Sequence, residues 1–400
     1  MKGHILILAD GRSPTALSWI KNIHSLGYRV SLVSTFPCDQ PHEVEQFHIL
    51  PIAFSRLSTG SKTSPTKTSD SKLKTLVRRL TPLLQNFRYI LGPLSLLLYT
   101  HRYQKLVKRI SPDIVHALRI PFEGMLGAYT PEGFPFLAAI WGNDLTLHAD
   151  KSLLMRHFTR RCLSRANGLT ADTHRDLRLA RNWGLKQTAP TLTVPGSGGL
   201  DLAALDNVGE FDNRFGIPEA AAWVVNPRGL RPGSVHQEVF FEAIPKVLQV
   251  NRDICFICPG LKGHPQAQAW ISQFNITERT YLLPKLSQQQ LWALFKKSAL
   301  YVSPSSHDGT PNTLLEAMAC GCLPVVGDIE SLREWITHEK NGILANPQDA
   351  KALANAILAA VNQVDLRQEA RKINRDIIES RADVKVTLPK IDAFYKGFTS

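Results

Sequence analysis

The stretch that most constrains the fold is residues 301–326, YVSPSSHDGTPNTLLEAMACGCLPVV. Its first apolar residues predict a short buried strand that ends at Pro304. Thr310 is then predicted to cap a helix that has Pro311 at its first position. A second apolar run, residues 323–326, predicts the next strand. This order indicates a parallel α/β sheet in which the helix N-terminus lies at the carboxyl ends of the strands.

The start of that helix suits an anionic ligand. The free amides of Asn312 and Thr313, together with the helix dipole, would face a phosphate. Asp308 and Glu316 flank the same turn, and a carboxylate accepts hydrogen bonds from sugar hydroxyls. The alternative is that Asp308 only shapes the turn and that Glu316 is a solvated helix residue. The strand, the turn, the helix and both acids together favour ligand contact.

The spacing of these two acids resembles the acid-x7-acid signature of the retaining glycosyltransferases of family four, which have the GT-B fold. The text DGTPNTLLEAMACGCLPVV is similar to the donor site of that family. The resemblance implies that Asp308 contacts the hydroxyls of the donor hexose and that Glu316 contacts the nucleotide ribose. The chain departs from the family by having Asp308 where Glu is commoner. The residues that would contact the donor diphosphate through the intervening backbone are Gly309, Thr310, Pro311, Asn312 and Thr313.

A second donor-side loop, PRGLRPG at 227–233, follows a strand predicted at 222–226. In the family this loop carries an Arg and a Lys that neutralise the donor diphosphate. Arg228 matches the Arg, whereas the Lys position falls near Gly233, so Arg231 is the remaining stand-in. Arginine binds phosphate with two parallel hydrogen bonds and stabilises a leaving diphosphate. The alternative is that both arginines are solvated surface charges. The resemblance also places Lys285, in a loop similar to the one against the nucleotide base, and Gly260 at the donor site.

The first half of the chain reads as a second Rossmann-like unit. Strands predicted at 4–9 and 29–34 enclose a helix predicted at 18–26, which is a βαβ pattern. The turn at Gly11 has too few glycines for a dinucleotide fingerprint, but it follows a strand and is a candidate lining residue. A simple connecting turn is the alternative. The text ADGRSP is similar to the start of many family members.

Four further candidates lie at predicted strand ends of the first half. PDIVHA resembles the PDIVHxH text of the family, whose second His falls at Leu118, so His116 is a stand-in or a satisfied structural residue. Arg119 and Glu123 follow in the next loop as contacts for acceptor or donor. Asp144, in text that resembles WGxD, would bind acceptor hydroxyls or cap the next helix.

Length and the glycine-rich run at 196–201 predict two domains. We expect an acceptor-side domain at 1–195 and a donor domain at 196–380. Residues 381–400 are expected to return to the first domain. The fold class implied is α/β of the GT-B type, with two Rossmann-like domains facing each other across a cleft.

Charge is concentrated in an insert at about 55–110, which begins with a low-complexity stretch. Residues 56–110 contain 12 Lys and Arg against one acid, within a chain of net charge +13. A basic amphipathic helix predicted at 73–83 would dock on an anionic membrane or pack on its own domain. Nucleic acid is disfavoured because the segment lacks interleaved aromatic residues. No membrane span or signal peptide is predicted, so we expect a cytoplasmic protein, peripheral on the inner face of the membrane.

These observations predict a retaining, metal-independent hexosyltransferase with no cofactor. It would move a hexose-type sugar from a nucleoside diphosphate donor to a glycan or lipid-linked acceptor in cell-envelope or extracellular polysaccharide synthesis. The pair Cys255 and Cys258 is interpreted as buried strand cysteines, because no second ligand pair accompanies it. The alternatives are a GT-B nucleotide-sugar epimerase and a catalytically silent nucleotide-sugar-binding module.

Overall fold

The computed structural model describes residues 2–53, 55 and 88–399. The chain divides into two compact units. Unit 1 is Met1–Gly198 together with Leu388–Ser400, and unit 2 is Gly199–Thr387. Each unit contains one parallel sheet that is flanked by helices.

The sheet of unit 1 has seven strands in the order β3-β2-β1-β4-β5-β6-β7. The strands are β1 Lys2–Ala9, β2 Tyr28–Ser34, β3 Gln46–Ile49, β4 Ile114–Ala117, β5 Phe136–Ile140, β6 Gly168–Ala171 and β7 Thr191–Thr193. The helices are Pro14–Ser25, Leu97–Ile110, Met125–Gly127, Leu153–Arg165 and His174–Asn182, with π-type turns at Ile120–Gly124 and Asp144–His148. Residues 88–95 are also helical.

The sheet of unit 2 has six strands in the order β10-β9-β8-β11-β12-β13. The strands are β8 Ala222–Val225, β9 Ile254–Pro259, β10 Thr280–Leu283, β11 Leu300–Ser303, β12 Leu323–Gly327 and β13 Ile343–Ala345. The helices are Leu202–Asp206, Gln237–Val250, Pro265–Phe274, Gln288–Lys297, Asn312–Ala319, Glu330–Arg333, Ala350–Asn362 and Val364–Arg381, with a 3₁₀ turn at Thr277–Arg279. The last helix, Val384–Lys396, begins in unit 2 and continues into unit 1.

Apolar residues cover both faces of each sheet. Along β1, Leu6 and Leu8 pack into one apolar cluster, while Ile5 and Ile7 pack into another. Alternation of this kind follows from the two-residue period of a strand. Continuous apolar runs are typical of parallel strands that are buried on both faces. Both units are therefore the α/β, Rossmann-like type that the sequence predicted.

The helix at the centre of the sequence argument begins one residue later than predicted. It starts at Asn312, and Pro311 precedes it in an extended conformation without a side-chain cap. The predicted capping role of Thr310 is wrong because Pro311 occupies the cap position, and the Thr310 hydroxyl accepts a hydrogen bond from Trp335 Nε1, at 2.9 Å. The basic helix predicted at 73–83 and the low-complexity stretch 56–71 lie outside the described residues.

The last helix is joined to the rest of unit 1 by a buried hydrogen-bond network. Trp19 Nε1 donates to the Tyr395 hydroxyl at 2.9 Å, and this hydroxyl lies 2.7 Å from His116 Nδ1. His116 is fully buried, and burial lowers its pKa to about 3. The imidazole is therefore neutral, and the hydroxyl can donate to its Nδ1.

We expect Tyr395→Phe to lower the free energy of unfolding by about 1–3 kcal/mol, because it leaves Trp19 Nε1 and His116 Nδ1 buried without this partner. Urea unfolding followed by tryptophan fluorescence measures the change. The matched control is Tyr99→Phe, since Tyr99 packs on the core of the same unit and no hydrogen bond of its hydroxyl is found in the described part of the chain. Equal losses for the two variants would contradict the network's role.

Candidate functional site

Two oppositely charged side chains meet where the strand order of unit 2 reverses. Arg228 follows β8 and Asp308 follows β11, and these neighbouring strands continue to opposite sides of the sheet. Ligands of open α/β sheets bind at such a switch point. Arg228 Nη2 donates to Asp308 Oδ2 at 2.5 Å, and the two side chains are only 5% and 14% exposed. Burial alone would lower the pKa of Arg228, but the Asp308 carboxylate outweighs it and the pKa is raised.

The Arg228 guanidinium also reaches the start of the helix Asn312–Ala319. Its Nη1 lies 3.4 Å from Thr313 Oγ1, which in turn lies 3.2 Å from the Tyr301 hydroxyl. Within the described part of the chain, the buried Nε of Arg228 has no hydrogen-bond partner. A helix N-terminus next to a cation with an unused donor is suited to binding an anion.

Arg231 adds a second positive charge beside the first. Its Nε donates to the Arg228 carbonyl at 3.2 Å. The charge of Arg228, together with burial, lowers the pKa of Arg231 to about 10, so both side chains remain cationic at neutral pH. Two like charges held this close repel each other, and an anion between them would relieve that repulsion.

Backbone and side-chain hydrogen bonds that sequence reasoning missed join the loop that carries Asp308 to the loop that carries Arg228. Ser306 N donates to the Ser234 carbonyl at 2.9 Å, and His236 Nε2 lies 2.9 Å from Ser306 Oγ. Lone Ser and His residues in turns carry no sequence signal for such pairing. These contacts fix where Asp308 and Arg228 meet.

Gly327, at the end of β12, lets this loop approach closely. A Cβ atom at that position would lie 2.0 Å from the Ser305 carbonyl oxygen, which is too short for any contact. The absence of a side chain therefore brings the loop of Asp308 against the adjacent strand.

Glu316 lies on the same helix but has a different environment. It is 6% exposed, and its Oε1 accepts a hydrogen bond from Gln288 Nε2 at 2.9 Å. Burial raises the pKa of Glu316. Gln288 begins the helix that follows the Lys285 loop, and no local sequence pattern predicts this contact. The two acids of the signature thus have different partners, one cationic and one neutral.

The remaining donor-side candidates lie at the same edge of the sheet. The Gly260 amide donates to the Leu283 carbonyl at 2.9 Å, and a Cβ at Gly260 would meet no atom within 4 Å. Lys285 is exposed just after β10. Gly309 N donates to Asp308 Oδ1 at 3.2 Å. Strand ends thus bring Arg228, Asp308 and the helix start together, with Gly260 and Lys285 on the neighbouring strands.

Asp144, in unit 1, is an internal ligand of its own loops. It is fully buried and accepts hydrogen bonds from Ile120 N at 3.0 Å, Trp141 N at 3.2 Å and Arg119 Nη2 at 3.1 Å. Its carboxylate therefore joins the turns that follow β4 and β5. The amides that Asp144 binds do not belong to the helix that follows, so it does not cap that helix, and its contact with acceptor hydroxyls stays a prediction.

The other unit 1 candidates are also packed. Glu123 accepts a hydrogen bond from Thr35 Oγ1 at 2.6 Å, and burial raises its pKa. The Gly11 amide donates to Ser34 Oγ at 3.1 Å. The enclosed ring of His116, described above, favours the structural alternative over contact with a substrate.

The described residues contain neither a candidate metal-ligand group nor a helix that could span a membrane. Within residues 2–53, 55 and 88–399, no group of three or more His, Cys, Asp and Glu side chains could hold a metal ion. None of the helices in that part of the chain is long and apolar enough to cross a membrane. Cys255 and Cys258 are buried free thiols of β9.

Two known family profiles match parts of the chain. The family profile described as glycosyl transferases group 1 matches residues 228–376, and the profile described as glycosyl transferase 4-like matches residues 63–173. Residues 228–376 therefore belong to the glycosyl transferases group 1 family. The first match begins at Arg228 and includes both Asp308 and Glu316.

Solved structures of similar fold cover nearly the whole chain. HepE from Anabaena, solved in complex with UDP, has a TM-score of 0.69 at 15% identity and covers 98% of this chain and 100% of its own. Sucrose-phosphate synthase from Thermosynechococcus elongatus has a TM-score of 0.72 at 14% identity and covers 99% of both chains. At such identity the likeness establishes the fold, which is GT-B, as predicted.

Relatives with similar sequences match shorter stretches of the chain than the solved structures do. The GDP-mannose:cellobiosyl-diphosphopolyprenol alpha-mannosyltransferase of Xanthomonas campestris is 28% identical over 102 residues, 26% of this chain and 27% of the relative. The N,N'-diacetylbacillosaminyl-diphospho-undecaprenol alpha-1,3-N-acetylgalactosaminyltransferase of Campylobacter jejuni is 32% identical over 96 residues, 22% of this chain and 26% of the relative. These matches span about a quarter of each relative's length.

We expect Glu316→Gln to raise the melting temperature at pH 7–8. A carboxyl whose pKa is raised in the folded state stabilises the fold at low pH, and that contribution is lost as the pH rises through the folded-state pKa. Glutamine keeps the acceptor for Gln288 and removes the buried charge. Scanning calorimetry from pH 4 to pH 8 should show a gain that grows with pH. The control, Glu369→Gln on the exposed side of the helix Val364–Arg381, should show none; a pH-independent effect of Glu316→Gln would refute the explanation.

Proposed function

We propose that this protein is a retaining glycosyltransferase that moves a hexose-type sugar from a nucleoside diphosphate donor to a glycan or lipid-linked acceptor. The observation that carries the proposal is the position of Arg228, which lies between Asp308 and the start of the helix Asn312–Ala319 and has an unused buried donor. Family membership and the GT-B fold support it.

The donor diphosphate would lie against Arg228, Arg231 and the amides at the start of the helix. When the sugar leaves, negative charge develops on the terminal phosphate. Cations and amides already in position stabilise that charge without reorganisation. A diphosphate also supplies the acceptor that the Nε of Arg228 lacks.

The acid pair would hold the two sugar rings of the donor. Without ligand, Asp308 pairs with Arg228. A bound phosphate competes for the guanidinium, which frees carboxylate oxygens to accept hydrogen bonds from the hexose hydroxyls. Glu316 would accept hydrogen bonds from the ribose hydroxyls, and such donors favour its ionised form.

The chemical step that we propose proceeds with retention and uses no protein nucleophile. The acceptor oxygen forms its bond to the anomeric carbon on the face from which the diphosphate departs. The bond between that carbon and the phosphate oxygen breaks, and the acceptor proton passes to the leaving phosphate. The chain then has two tasks, which are to orient the donor and to stabilise the leaving group.

A lipid-linked acceptor is the form of the proposal that the relatives favour. Both relatives described above act, by name, on sugars linked to a polyprenol through a diphosphate. We therefore place the reaction in cell-envelope or extracellular polysaccharide synthesis, with the protein bound peripherally to the inner face of the membrane.

An apolar surface next to exposed cations supports membrane contact. Five large apolar side chains in residues 90–98 are exposed, and Leu98 is 83% exposed. The helix Leu97–Ile110 continues from them with exposed Arg102, Lys105, Lys108 and Arg109. Apolar side chains beside cations are suited to insertion into an anionic lipid surface.

A donor screen tests the proposed reaction. Purified protein is incubated with UDP-, GDP- and ADP-sugars, and sugar release is measured by NMR for the wild type and for Glu316→Ala and Arg228→Ala. We expect one nucleotide to bind, with affinity about 10–100-fold weaker in Arg228→Ala because charge-assisted hydrogen bonds are lost. Arg228→Lys keeps the charge but loses the paired donors, and Arg252→Ala, an exposed arginine of the same unit, is the control.

Each other outcome has a defined meaning. Full donor affinity and turnover in Glu316→Ala would show that the donor site is wrongly assigned. Conversion of the donor to an epimer without acceptor would identify an epimerase. Nucleotide binding without sugar release or transfer to any supplied acceptor would identify a silent binding module.

We expect replacement of Leu94, Leu97 and Leu98 by Ser to weaken binding to vesicles that contain phosphatidylglycerol by at least about tenfold. Burying one leucine contributes about 1.5–3 kcal/mol, and serine removes that contribution. Co-sedimentation at low and high salt measures the binding. The matched control is Val250→Ser, which removes an exposed apolar side chain of unit 2. Equal binding by the triple variant and the wild type would rule out this surface.

A further inference from the structure

The sheet of unit 1 also has a point at which the strand order reverses, between β1 and β4. Arg12 follows β1 and Arg119 follows β4, so both are near the carboxyl ends of these neighbouring strands. This is the position at which open α/β sheets bind ligands.

A third arginine, Arg88, approaches the same place from outside the sheet. Its guanidinium lies 5.4 Å from the ring centroid of Phe36, after β2, and 4.8 Å from that of Phe122, after β4. The guanidinium of Arg12 lies 3.8 Å from the same Phe36 ring. Two cations thus share one aromatic ring.

Two of these guanidinium groups keep unused donors in a buried position. The Nε atoms of Arg88 and Arg119 are buried and have no hydrogen-bond partner among the residues that the structure describes. Buried polar atoms of this kind are uncommon, since leaving one unpaired carries the full cost of its desolvation. Burial lowers the pKa of Arg88, and its nearness to Arg119 adds to the lowering.

The nearby carboxylates do not use these donors. Asp144 accepts a hydrogen bond from Arg119 Nη2 through Oδ1. Its Oδ2 accepts hydrogen bonds from the amides of Ile120 and Trp141. Glu123 accepts its hydrogen bond from Thr35. Arg12 is paired with Asp10 through two hydrogen bonds. The free donors therefore belong to Arg88 and Arg119.

We propose that Arg88 and Arg119 form a diphosphate-binding site at the carboxyl edge of the unit 1 sheet, and that it holds the diphosphate of the acceptor. The identity of the ligand as acceptor rests on the proposed function; the anion site itself does not. A diphosphate offers several charged acceptor oxygens, and a planar guanidinium binds such oxygens in pairs. Its charge also offsets the repulsion between the two arginines.

Calorimetric titration of the full chain tests the site with defined probes. The probes are geranyl diphosphate, inorganic pyrophosphate and geraniol. The titrations use the wild type and a variant that carries Arg228→Ala and Arg231→Ala, which removes diphosphate binding in unit 2. In both backgrounds Arg88→Met is expected to weaken the binding of geranyl diphosphate to the unit 1 site about 10–100-fold. Methionine retains packing on Phe36 and Phe122 but has no charge.

Two further variants control for folding and for nonspecific charge. Arg88→Lys keeps the charge and is expected to lose less affinity than Arg88→Met. Arg161→Met makes the same substitution at an exposed arginine that lies 4.4 Å from the Tyr129 ring, and it should bind geranyl diphosphate like the wild type. Melting temperatures show whether each variant is folded.

The results separate the site from its assignment. Unchanged binding in folded Arg88→Met, or equal weakening in Arg161→Met, overturns the site. Equal affinity for pyrophosphate and geranyl diphosphate supports a diphosphate site but overturns its assignment to a prenyl-linked acceptor, and tight binding of geraniol overturns both. Arg88-dependent binding in a protein that fails the donor screen would leave this site standing and reject the transferase.

Discussion

The ion pair between Arg228 and Asp308 is the interaction on which the donor-side site depends, because it joins the ends of two adjacent strands. Taking both charges out of water costs several kcal/mol per ion, and mutual attraction repays this only when the remaining hydrogen bonds are satisfied. In this pair the hydrogen bonds are not all satisfied, since the Nε of Arg228 has no partner in the described part of the chain. Stability alone is therefore a weak reason for the pair, and a ligand that completes the guanidinium's hydrogen bonds is a stronger one.

The two units have the same kind of arginine–aspartate pair at the carboxyl ends of their strands. In each unit, the strand order reverses next to the first strand. An arginine follows a strand at that point, Arg119 in unit 1 and Arg228 in unit 2, and its Nε has no hydrogen-bond partner among the described residues. Each is also paired with an acid from a neighbouring strand end, Asp144 and Asp308 respectively. The acid fixes the guanidinium in place and sustains its charge, so a buried cation remains available for an anion.

The sequence predicted those parts of the structure that depend on local pattern. Apolar runs located β11 and β12, and the strand–turn–helix text located Arg228, Asp308 and the helix start. The predicted cap was wrong because Pro311 occupies the cap position, and the Thr310 hydroxyl contacts Trp335, which lies 25 residues further along the chain and is invisible to a local pattern. His116 was ambiguous for the same reason, since its partner Tyr395 is 279 residues away. Arg88 was missed because it belongs to a basic insert whose composition conceals which cation meets Phe36 and Phe122.

The two acids of the signature differ electrostatically in a way that suits two kinds of ligand group. Asp308 is paired with Arg228, for which a phosphate would compete, so in the proposed complex its oxygens would become available as the diphosphate binds. Glu316 is buried beside the neutral Gln288, and burial raises its pKa. A cation in that position would already satisfy the carboxylate and leave little to gain from a hydroxyl. Because Glu316 lacks that compensation, neutral hydroxyl donors such as those of a ribose gain the most by binding there. In the proposed donor complex, the cost of burying Glu316 would thus favour the binding of a hydroxyl pair.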